Sequence, residues 1–243
     1  MMPGGLPPAL TVPAPRPPRR GVFISFEGGD GAGKSTQMSM LRDHLIHDRM
    51  VDEDLVLTTR EPGGTPLGAQ IRELVLHGDD VDPRAEALLY AADRAHHIAS
   101  RVRPHLARGG LVLGDRYLDS SVAYQGAGRE LEAREIAALS LWAVDGLLPH
   151  RTILLDLPPA ALAERRAPGE MDRLERAGLE FHEAVREQFL QLAADDPDRF
   201  AVIDAALPKE EVHAQVLEKV SGVLQLFEPT FEQPVPAKHR DEL

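Results

Sequence analysis

Residues 28–35 read GGDGAGKS, which fits the phosphate-binding pattern G-x-x-x-x-G-K-[ST] at every fixed position. The residues just before this stretch, 21–27, are apolar and rich in β-formers, which is typical of a buried strand. After it, Met38, Leu41 and Leu45 recur at helical spacing. A strand, a glycine loop and a helix in this order predict a loop whose backbone N–H groups cradle a phosphate at a helix N-terminus.

The last two residues of the motif carry its chemistry. Lys34 is expected to reach the β- and γ-phosphates of a nucleotide, and the Ser35 hydroxyl is expected to bind Mg²⁺. A glycine-rich turn that contains Gly-Lys-Ser by chance would lack the flanking strand and helix. The sequence therefore predicts a nucleoside triphosphate site.

Composition narrows the classes of ligand and partner. The chain has 243 residues, a net charge of −12 and no cysteine. An acidic surface repels the phosphate backbone of nucleic acids, and no apolar run approaches the roughly 18 to 20 residues of a membrane span. The absence of cysteine excludes disulfides and thiolate metal sites and fits a reducing compartment. We therefore expect a cytoplasmic protein that binds neither nucleic acid nor membrane.

The two ends of the chain differ from its middle. Residues 1–20 hold seven prolines, three arginines and no acidic residue, a composition that predicts a disordered N-terminal extension. Residues 227–243 carry three prolines and are expected to form a flexible tail. The sequence thus predicts one folded domain over 21–226.

Five apolar segments alternate with helical patterns along that domain. This alternation predicts an α/β three-layer sandwich, in which helices cover both faces of a five-stranded parallel sheet. The expected strands are 22–27, 55–59, 111–115, 152–157 and 200–204. The expected helices are 34–48, 66–77, 84–107, 132–147, 159–166, 175–194 and 208–226.

The carboxyl ends of the strands are where ligands bind in such a sheet. Asp115 directly follows an apolar strand, as a carboxylate near Mg²⁺ does in phosphate-loop enzymes. Asp156 competes for that role, but only Asp115 has an adjacent anion-binding arginine, Arg116. His96 and His97 have no ligand partner at useful spacing, so no metal other than Mg²⁺ is expected.

Three further segments place polar side chains in positions that suit a second ligand. The segment TREPGGT at 59–65, which contains Glu61, follows the second strand and could form a fixed turn that binds a ligand. An ordinary strand-to-helix turn without a binding role is an equal alternative. Tyr90 and Arg94 are spaced i, i+4 and so share one helix face, where the ring could stack on a base and the guanidinium could hydrogen-bond to it. The alternative is that Tyr90 is an ordinary core residue and Arg94 an ordinary surface residue. A polar cluster, alternatively a solvated helix face, comprises Ser120, Ser121, Tyr124 and Gln125.

The segment RRAPGEMDR at 165–173 combines a proline, a glycine and three arginines. This composition predicts a mobile flap that closes over phosphates, with a solvated charged loop as the alternative. Arginines in such a position neutralise the charge that spreads over a transferred phosphoryl group.

Taken together, these segments resemble the bacterial thymidylate kinase family. The resemblance is carried by FEGGDGAGKSTQ at 26–37, TREPGGT at 59–65, YAADRA at 90–95, DRYLDSSVAYQG at 115–126 and a lid at about 165–175. It spans about residues 21 to 225. The pattern DRY-x-x-S-x-x-AYQ makes it specific, because phosphate-loop proteins in general do not share it.

The resemblance implies a P-loop NTPase fold, a homodimer, and transfer of phosphate from ATP·Mg to dTMP as a step in dTTP synthesis. It implies ATP binding by Gly28, Gly29, Asp30, Gly31, Ala32, Gly33, Lys34, Ser35 and Thr36. It implies dTMP binding by Asp30, Glu61, Tyr90, Arg94, Arg116, Ser120, Ser121, Tyr124 and Gln125. Mg²⁺ would be bound at Ser35 and Asp115.

The implied catalytic groups are Lys34, Asp30 and Arg116, together with an arginine of the lid. Positions 29–32 contain no basic residue, so the lid must supply that arginine from among Arg165, Arg166 and Arg173.

Two alternatives remain at this stage. The acceptor could be another monophosphate or a deoxynucleoside, although a nucleoside kinase would need no phosphate clamp of the Arg116 kind. The chain could instead be a nucleotide-binding switch, which would require neither the lid arginines nor the acceptor-side segments.

Overall fold

A five-stranded parallel sheet forms the centre of the structure, a computed structural model that describes residues 21–126, 131–165, 174 and 177–227. The strands are β1 (Val22–Glu27), β2 (Val56–Arg60), β3 (Leu111–Asp115), β4 (Arg151–Asp156) and β5 (Phe200–Asp204). Their order in the sheet is β2-β3-β1-β4-β5, and each pairing is parallel. The central strand, β1, is buried along its whole length, as its run of apolar residues predicts.

The register of the strands brings their carboxyl ends together. Asp115 at the end of β3 is paired with Phe26 on one side and with Arg60 on the other. The segments that follow β1, β2 and β3 therefore meet at one edge of the sheet, which is the edge where ligands bind in open parallel sheets.

Helices cover both faces of the sheet. They are α1 (Lys34–Asp43), α2 (Pro66–His77), α3 (Pro83–His97), α4 (Arg103–Ala107), α5 (Leu118–Gly126), α6 (Ala133–Ala143), α7 (Pro159–Arg165), α8 (Leu179–Asp195) and α9 (Lys209–Leu224). The π-helical turns His44–Asp48 and Ile98–Val102 prolong α1 and α3, and a 3₁₀ turn, Glu53–Leu55, precedes β2.

Alternate residues of β1 divide the core into two layers. Ile24 and Phe26 pack with α1 and α9, whereas Phe23 packs with Tyr117, Leu118 and the end of the α3 segment. The predicted three-layer α/β architecture is therefore confirmed. Along the described stretches, every helix is too short or too polar to cross a lipid bilayer.

The sequence did not predict α5 as a helix. Residues Leu118 to Gln125 are all buried, so the polar side chains among them lie inside the protein and no apolar stripe marks one face. Helix α6 is shorter than expected and ends at Ala143, because the chain turns through two left-handed residues, Asp145 (φ 48°) and Gly146 (φ 67°).

The first residue of the predicted C-terminal tail lies in the core. Phe227, which the sequence assigned to the tail, is buried in the core cluster that α9 joins. The predicted N-terminal extension 1–20, the rest of the tail at 228–243, and most of the lid lie outside the described residues.

Candidate active site

The glycine loop between β1 and α1 adopts a positive φ, which favours glycine, at Gly28, Gly31 and Gly33. Gly28 has φ +129°, and a Cβ there would lie 2.4 Å from the Leu155 carbonyl oxygen. Gly33 has φ +96° and caps α1, which begins at Lys34. The loop therefore folds tightly against β4 and presents the N-terminus of a helix, an arrangement that binds anions.

The Lys34 ammonium is buried inside this loop. Its Nζ atom donates to the carbonyl oxygens of Gly28, at 3.0 Å, and Gly29, at 2.8 Å, and lies 3.8 Å from the Asp30 carboxylate. Burial, followed by the nearby Arg116 charge, lowers the pKa of Lys34 from its ordinary value. The lysine is thus held within the loop that the sequence assigns to phosphate.

An ion pair joins the loop to the end of β3. Arg116, with a left-handed φ of 68°, donates to Asp30 Oδ1 at 2.6 Å and to Ser120 Oγ at 2.9 Å. Burial opposes ionisation of Asp30, but Arg116 and then Lys34 outweigh it and hold the pKa of Asp30 below its usual range. Asp30 is therefore a fixed negative charge that orients the Arg116 guanidinium.

Glu27 supports this pair from beneath the loop. Its carboxyl oxygens accept from the Tyr117 backbone N–H at 2.8 Å and from Ser120 Oγ at 2.6 Å. Burial and then the Asp119 charge raise the pKa of Glu27 well above its ordinary value. Glu27 fixes the start of α5 and, through Ser120, the position of Arg116.

Of the two carboxylates considered for Mg²⁺, only Asp115 is hydrogen-bonded to Ser35. Ser35 Oγ donates to Asp115 Oδ2 at 2.7 Å, so a hydroxyl and a carboxylate adjoin at the helix N-terminus. Asp156 instead accepts two hydrogen bonds from Arg186, at 2.7 and 2.8 Å. The described residues contain no cluster of three or more acidic or histidine side chains that could hold a metal by itself.

A polar cavity of about 870 Å³ opens over the loop. It is lined by Asp30, Gly31, Gly33, Lys34, Ser35, Thr36, Arg60, Glu61, Arg72, Asp115 and Arg116. Six of the nine residues predicted for ATP are among them. Of the other three, Gly28 and Gly29 accept hydrogen bonds from Lys34 through their carbonyl oxygens, and Ala32 is buried beside the core and lines a neighbouring cavity.

A second pocket, of about 520 Å³, adjoins the first and shares Asp30, Glu61, Arg72 and Arg116 with it. All nine residues predicted for the acceptor line this pocket. Pro62, Leu76, Tyr117 and Leu174 complete its wall, so the pocket joins a charged end to a wall in which apolar and aromatic side chains alternate with polar ones.

Arg94 lies at the wall of this pocket with most of its donors already used. Its Nε atom donates to Glu61 at 2.7 Å, one terminal nitrogen donates to Ser140 at 3.2 Å, and the other donates to the Tyr117 carbonyl at 3.3 Å and to Ser121 at 3.0 Å. A guanidinium has five N–H groups. Within the described part of the chain, one N–H of Arg94 remains for a ligand.

Tyr90, Tyr124 and Gln125 form the rest of the recognition surface. The Tyr124 ring lies under the Arg116 guanidinium, 5.0 Å from ring centroid to carbon, with its hydroxyl 3.3 Å from an Arg116 nitrogen. Tyr90 lines the pocket and also packs in a core cluster, so it is at once a core residue and a part of the pocket wall. The side-chain oxygen of Gln125 is buried and has no hydrogen-bond partner among the described residues.

Sequence reasoning missed two cavity residues, Arg60 and Arg72, as binding groups. Arg72 lines both cavities and donates to the Pro62 carbonyl at 3.1 Å. Nothing in its local sequence marks it, because helix α2 brings it to the site only once the turn before the helix is folded. Arg60 lies within the TREPGGT turn, so its sequence position was a usable signal.

The arginine of the lid that the structure describes lies away from the acceptor pocket. Arg165 donates to the carbonyl oxygens of Ala205 at 2.8 Å and Ala206 at 3.4 Å. It lines a third cavity, of about 880 Å³, which shares Gly33 and Thr36 with the phosphate cavity. Arg166 and Arg173 fall outside the described residues.

A glycine loop after the first strand, an acid at the end of the adjacent strand and a second pocket beside the phosphate cavity define a P-loop nucleotide-binding α/β protein. A family model described as thymidylate kinase matches residues 26–216. The chain belongs to the thymidylate kinase family.

Individual relatives agree with this assignment. The chain is 56% identical over 207 residues to a thymidylate kinase of Clavibacter michiganensis, covering 84% of this chain and 96% of that one. It is 56% identical over 216 residues to one from Leifsonia xyli, covering 88% and 99%. The crystal structure of thymidylate kinase from Ehrlichia chaffeensis superposes with a TM-score of 0.68 at 31% identity, covering 85% of this chain and 99% of that one.

Proposed function

We propose that this protein transfers the γ-phosphoryl group of ATP to the phosphate of dTMP and releases ADP and dTDP. An acceptor phosphate oxygen forms the new P–O bond while the bond to the β-phosphate oxygen breaks, so no covalent enzyme intermediate is needed. The observation that carries the proposal is the pocket lined by all nine predicted acceptor residues, which shares its charged end with the phosphate cavity.

The donor nucleotide would occupy the phosphate cavity and the cavity that continues from it. The loop N–H groups and Lys34 suit its phosphates, and the cavity beside Gln37 and Lys209 has room for its base. Ser35 and Asp115 offer the hard oxygen donors that Mg²⁺ prefers. When bound, Mg²⁺ would neutralise charge on the transferred phosphate.

The acceptor phosphate would lie at the charged end of the second pocket. Arg116 is held there by Asp30 and Ser120, and Arg72 reaches the same end from α2. A guanidinium fixed in this way matches phosphate oxygens with two parallel hydrogen bonds and places the acceptor toward the donor.

The base would be read by the two groups left open in the pocket. Arg94 has one free N–H donor and Gln125 has an unpaired acceptor oxygen within the described residues. Thymine presents an acceptor at ring position 4 and a donor at N3, and cytosine presents the reverse. An Arg94 donor facing position 4 and a Gln125 acceptor facing N3 would therefore select thymine. Tyr90 and Leu76 provide apolar contact, and Tyr124 would crowd a 2′-hydroxyl.

An arginine of the lid would supply further positive charge to the phosphoryl group during its transfer. Arg165, Arg166 and Arg173 stay candidates, and in the conformation described Arg165 is bonded to the 205–206 carbonyls. Closure of this segment over the phosphates would exclude water that otherwise hydrolyses ATP.

We also propose a homodimer in the cytoplasm. Leu88 on α3 and Trp142 on α6 are 58% and 80% exposed, and these two helices pack against each other. Exposed large apolar side chains on adjoining helices are typical of a surface that a second protein covers. A second copy of the chain is the occupant that we expect.

A coupled ADP-release assay tests the proposed activity. With ATP·Mg, we expect strong turnover of dTMP, weak turnover of dUMP and none of dCMP, UMP, AMP or GMP. Preference for another monophosphate would overturn the assignment of the base pocket. ADP release that does not depend on any acceptor would overturn the assignment as a kinase of monophosphates and favour the nucleotide-binding switch.

A further inference from the structure

His97, for which the sequence predicts no metal or binding role, is hydrogen-bonded on both sides of its ring. Its Nδ1 atom lies 2.8 Å from Glu61 Oε1, and its Nε2 atom lies 2.7 Å from Thr59 Oγ1. The side chain is 2% exposed and does not line the acceptor pocket. His97 therefore contacts Glu61 without itself lining either of the two cavities that Glu61 lines.

The chemistry of these partners fixes the hydrogen positions. A carboxylate only accepts, so Nδ1 of His97 must carry a proton that it donates to Glu61. The Thr59 hydroxyl can donate to a neutral Nε2 or accept from a protonated one. The bond to Glu61 is therefore the one that sets the direction of the ring's donor.

Glu61 in turn fixes Arg94. Its second oxygen accepts from Arg94 Nε at 2.7 Å, and both residues are buried. Three further bonds hold the two terminal nitrogens and leave one terminal N–H without a partner among the described residues, on a side chain that lines the acceptor pocket. The direction of that N–H depends on the orientation of the Glu61 carboxylate, and a carboxylate held at only one oxygen can rotate about its last bond.

The turn that carries Glu61 also rests on the imidazole ring. A Cβ at Gly64 would lie 2.5 Å from His97 Nε2, so the backbone of the turn is packed directly against the ring. The ring thus supports both the backbone and the carboxylate of the segment that holds Arg94.

We propose that His97 is a positioning residue for base recognition, which acts through Glu61 to aim the free N–H of Arg94 at a ring carbonyl of the acceptor. This inference rests on the proposed function, because it takes the base to lie against Arg94. It adds to that function a histidine that never touches the substrate.

Two polar substitutions separate the two bonds of the ring. His97→Asn places an amide nitrogen where Nδ1 stands and can keep the bond to Glu61, whereas His97→Gln reaches the position of Nε2 and Thr59 instead. We expect His97→Asn to stay within about twofold of the wild type, and His97→Gln and His97→Leu to raise KM for dTMP about tenfold, the typical effect of one lost charge-assisted hydrogen bond. KM for ATP and kcat should change by less than about twofold in all three variants.

A matched control removes a histidine that is equally buried but lies elsewhere. His105 on α4 is bonded to the Leu55 carbonyl at 3.0 Å and lines neither pocket. His105→Leu should lower the melting temperature without changing KM for dTMP. Equal KM values for the Asn and Gln variants of His97, or parallel rises in KM for dTMP and ATP, would overturn the proposal.

Substrate analogues test whether the effect passes through Arg94. 2-Thio-dTMP and 4-thio-dTMP each replace one ring carbonyl acceptor by sulfur, a weaker acceptor. For one of them we expect the penalty in kcat/KM to be smaller in His97→Gln than in the wild type, because the aimed hydrogen bond is already lost. Equal penalties for both analogues in the two proteins would refute the action through Arg94, whereas a wild type inactive on dTMP would instead refute the proposed function.

Discussion

Asp93 provides the most quantitative prediction, because it is a buried carboxyl group with few hydrogen bonds to stabilise its ionised form. The residue lies on α3 beneath the turn after β2, where Oδ1 accepts from the Gly63 N–H at 3.4 Å. Oδ2 is buried and has no partner among the described residues. Burial, followed by the negative charge of Glu61, raises the pKa of Asp93 from 3.8 to about 6.

The sign of the pH dependence follows from that shift. The folded state holds the proton of Asp93 more tightly than the unfolded state, so stability falls as pH rises between about 4 and 6 and is constant above that window. A shift from 3.8 to about 6 corresponds to about 3 kcal/mol at neutral pH. Asp93→Asn removes the charge and keeps the shape, so it removes this penalty.

Urea unfolding of the wild type and Asp93→Asn at several pH values measures the effect. We expect the stability advantage of the variant to grow by about 2–3 kcal/mol between pH 4 and pH 7.5. Asp80→Asn, at an exposed position, controls for the general effect of removing one negative charge. An advantage of Asp93→Asn that does not change with pH would refute the reasoning.

Three further predictions concern the site and the surface. Lys34→Ala should lower kcat by orders of magnitude while the melting temperature stays near that of the wild type, because the ammonium is bonded to loop carbonyls and is not part of an apolar core cluster. Arg116→Lys should raise KM for dTMP at least about tenfold, since an ammonium cannot reproduce the paired bonds to Asp30 and Ser120. Trp142→Glu should convert the proposed dimer to a monomer in light scattering, because it places a charge in the exposed apolar surface.

Each of these predictions has a contrary result. Normal turnover by Lys34→Ala would contradict the role of the loop. An unchanged KM for dTMP in Arg116→Lys, with a raised KM for ATP, would show that Arg116 binds the donor nucleotide instead of the acceptor phosphate. A wild type that is already monomeric at micromolar concentration would remove the interface at Trp142.

The sequence predicted those parts of the site that are continuous in the chain. The glycine loop is fixed by its own local pattern, and the ends of the strands can be located from apolar runs and parallel topology alone. Asp115 could be preferred over Asp156 because Arg116 follows it, and the structure indeed brings only Asp115 to Ser35.

Residues whose roles depend on packing were beyond sequence reasoning. Helix α5 is buried on every side, so it shows no amphipathic pattern from which a helix could be inferred. Arg72 and His97 reach the site from helices whose apolar faces, not their polar residues, determine where they pack. Residues near His97 in the chain offer it no metal-ligand partner, and its actual partners, Glu61 and Thr59, lie 36 and 38 residues away.

A ³¹P NMR time course of the purified protein with ATP·Mg and dTMP follows phosphoryl transfer between the two cavities directly. We expect the β-phosphate resonance of dTDP to appear together with that of ADP, one for one, without accumulation of inorganic phosphate. Accumulation of inorganic phosphate without dTDP would refute the proposed transfer, because the two adjoining cavities would then not pass a phosphoryl group between two bound nucleotides.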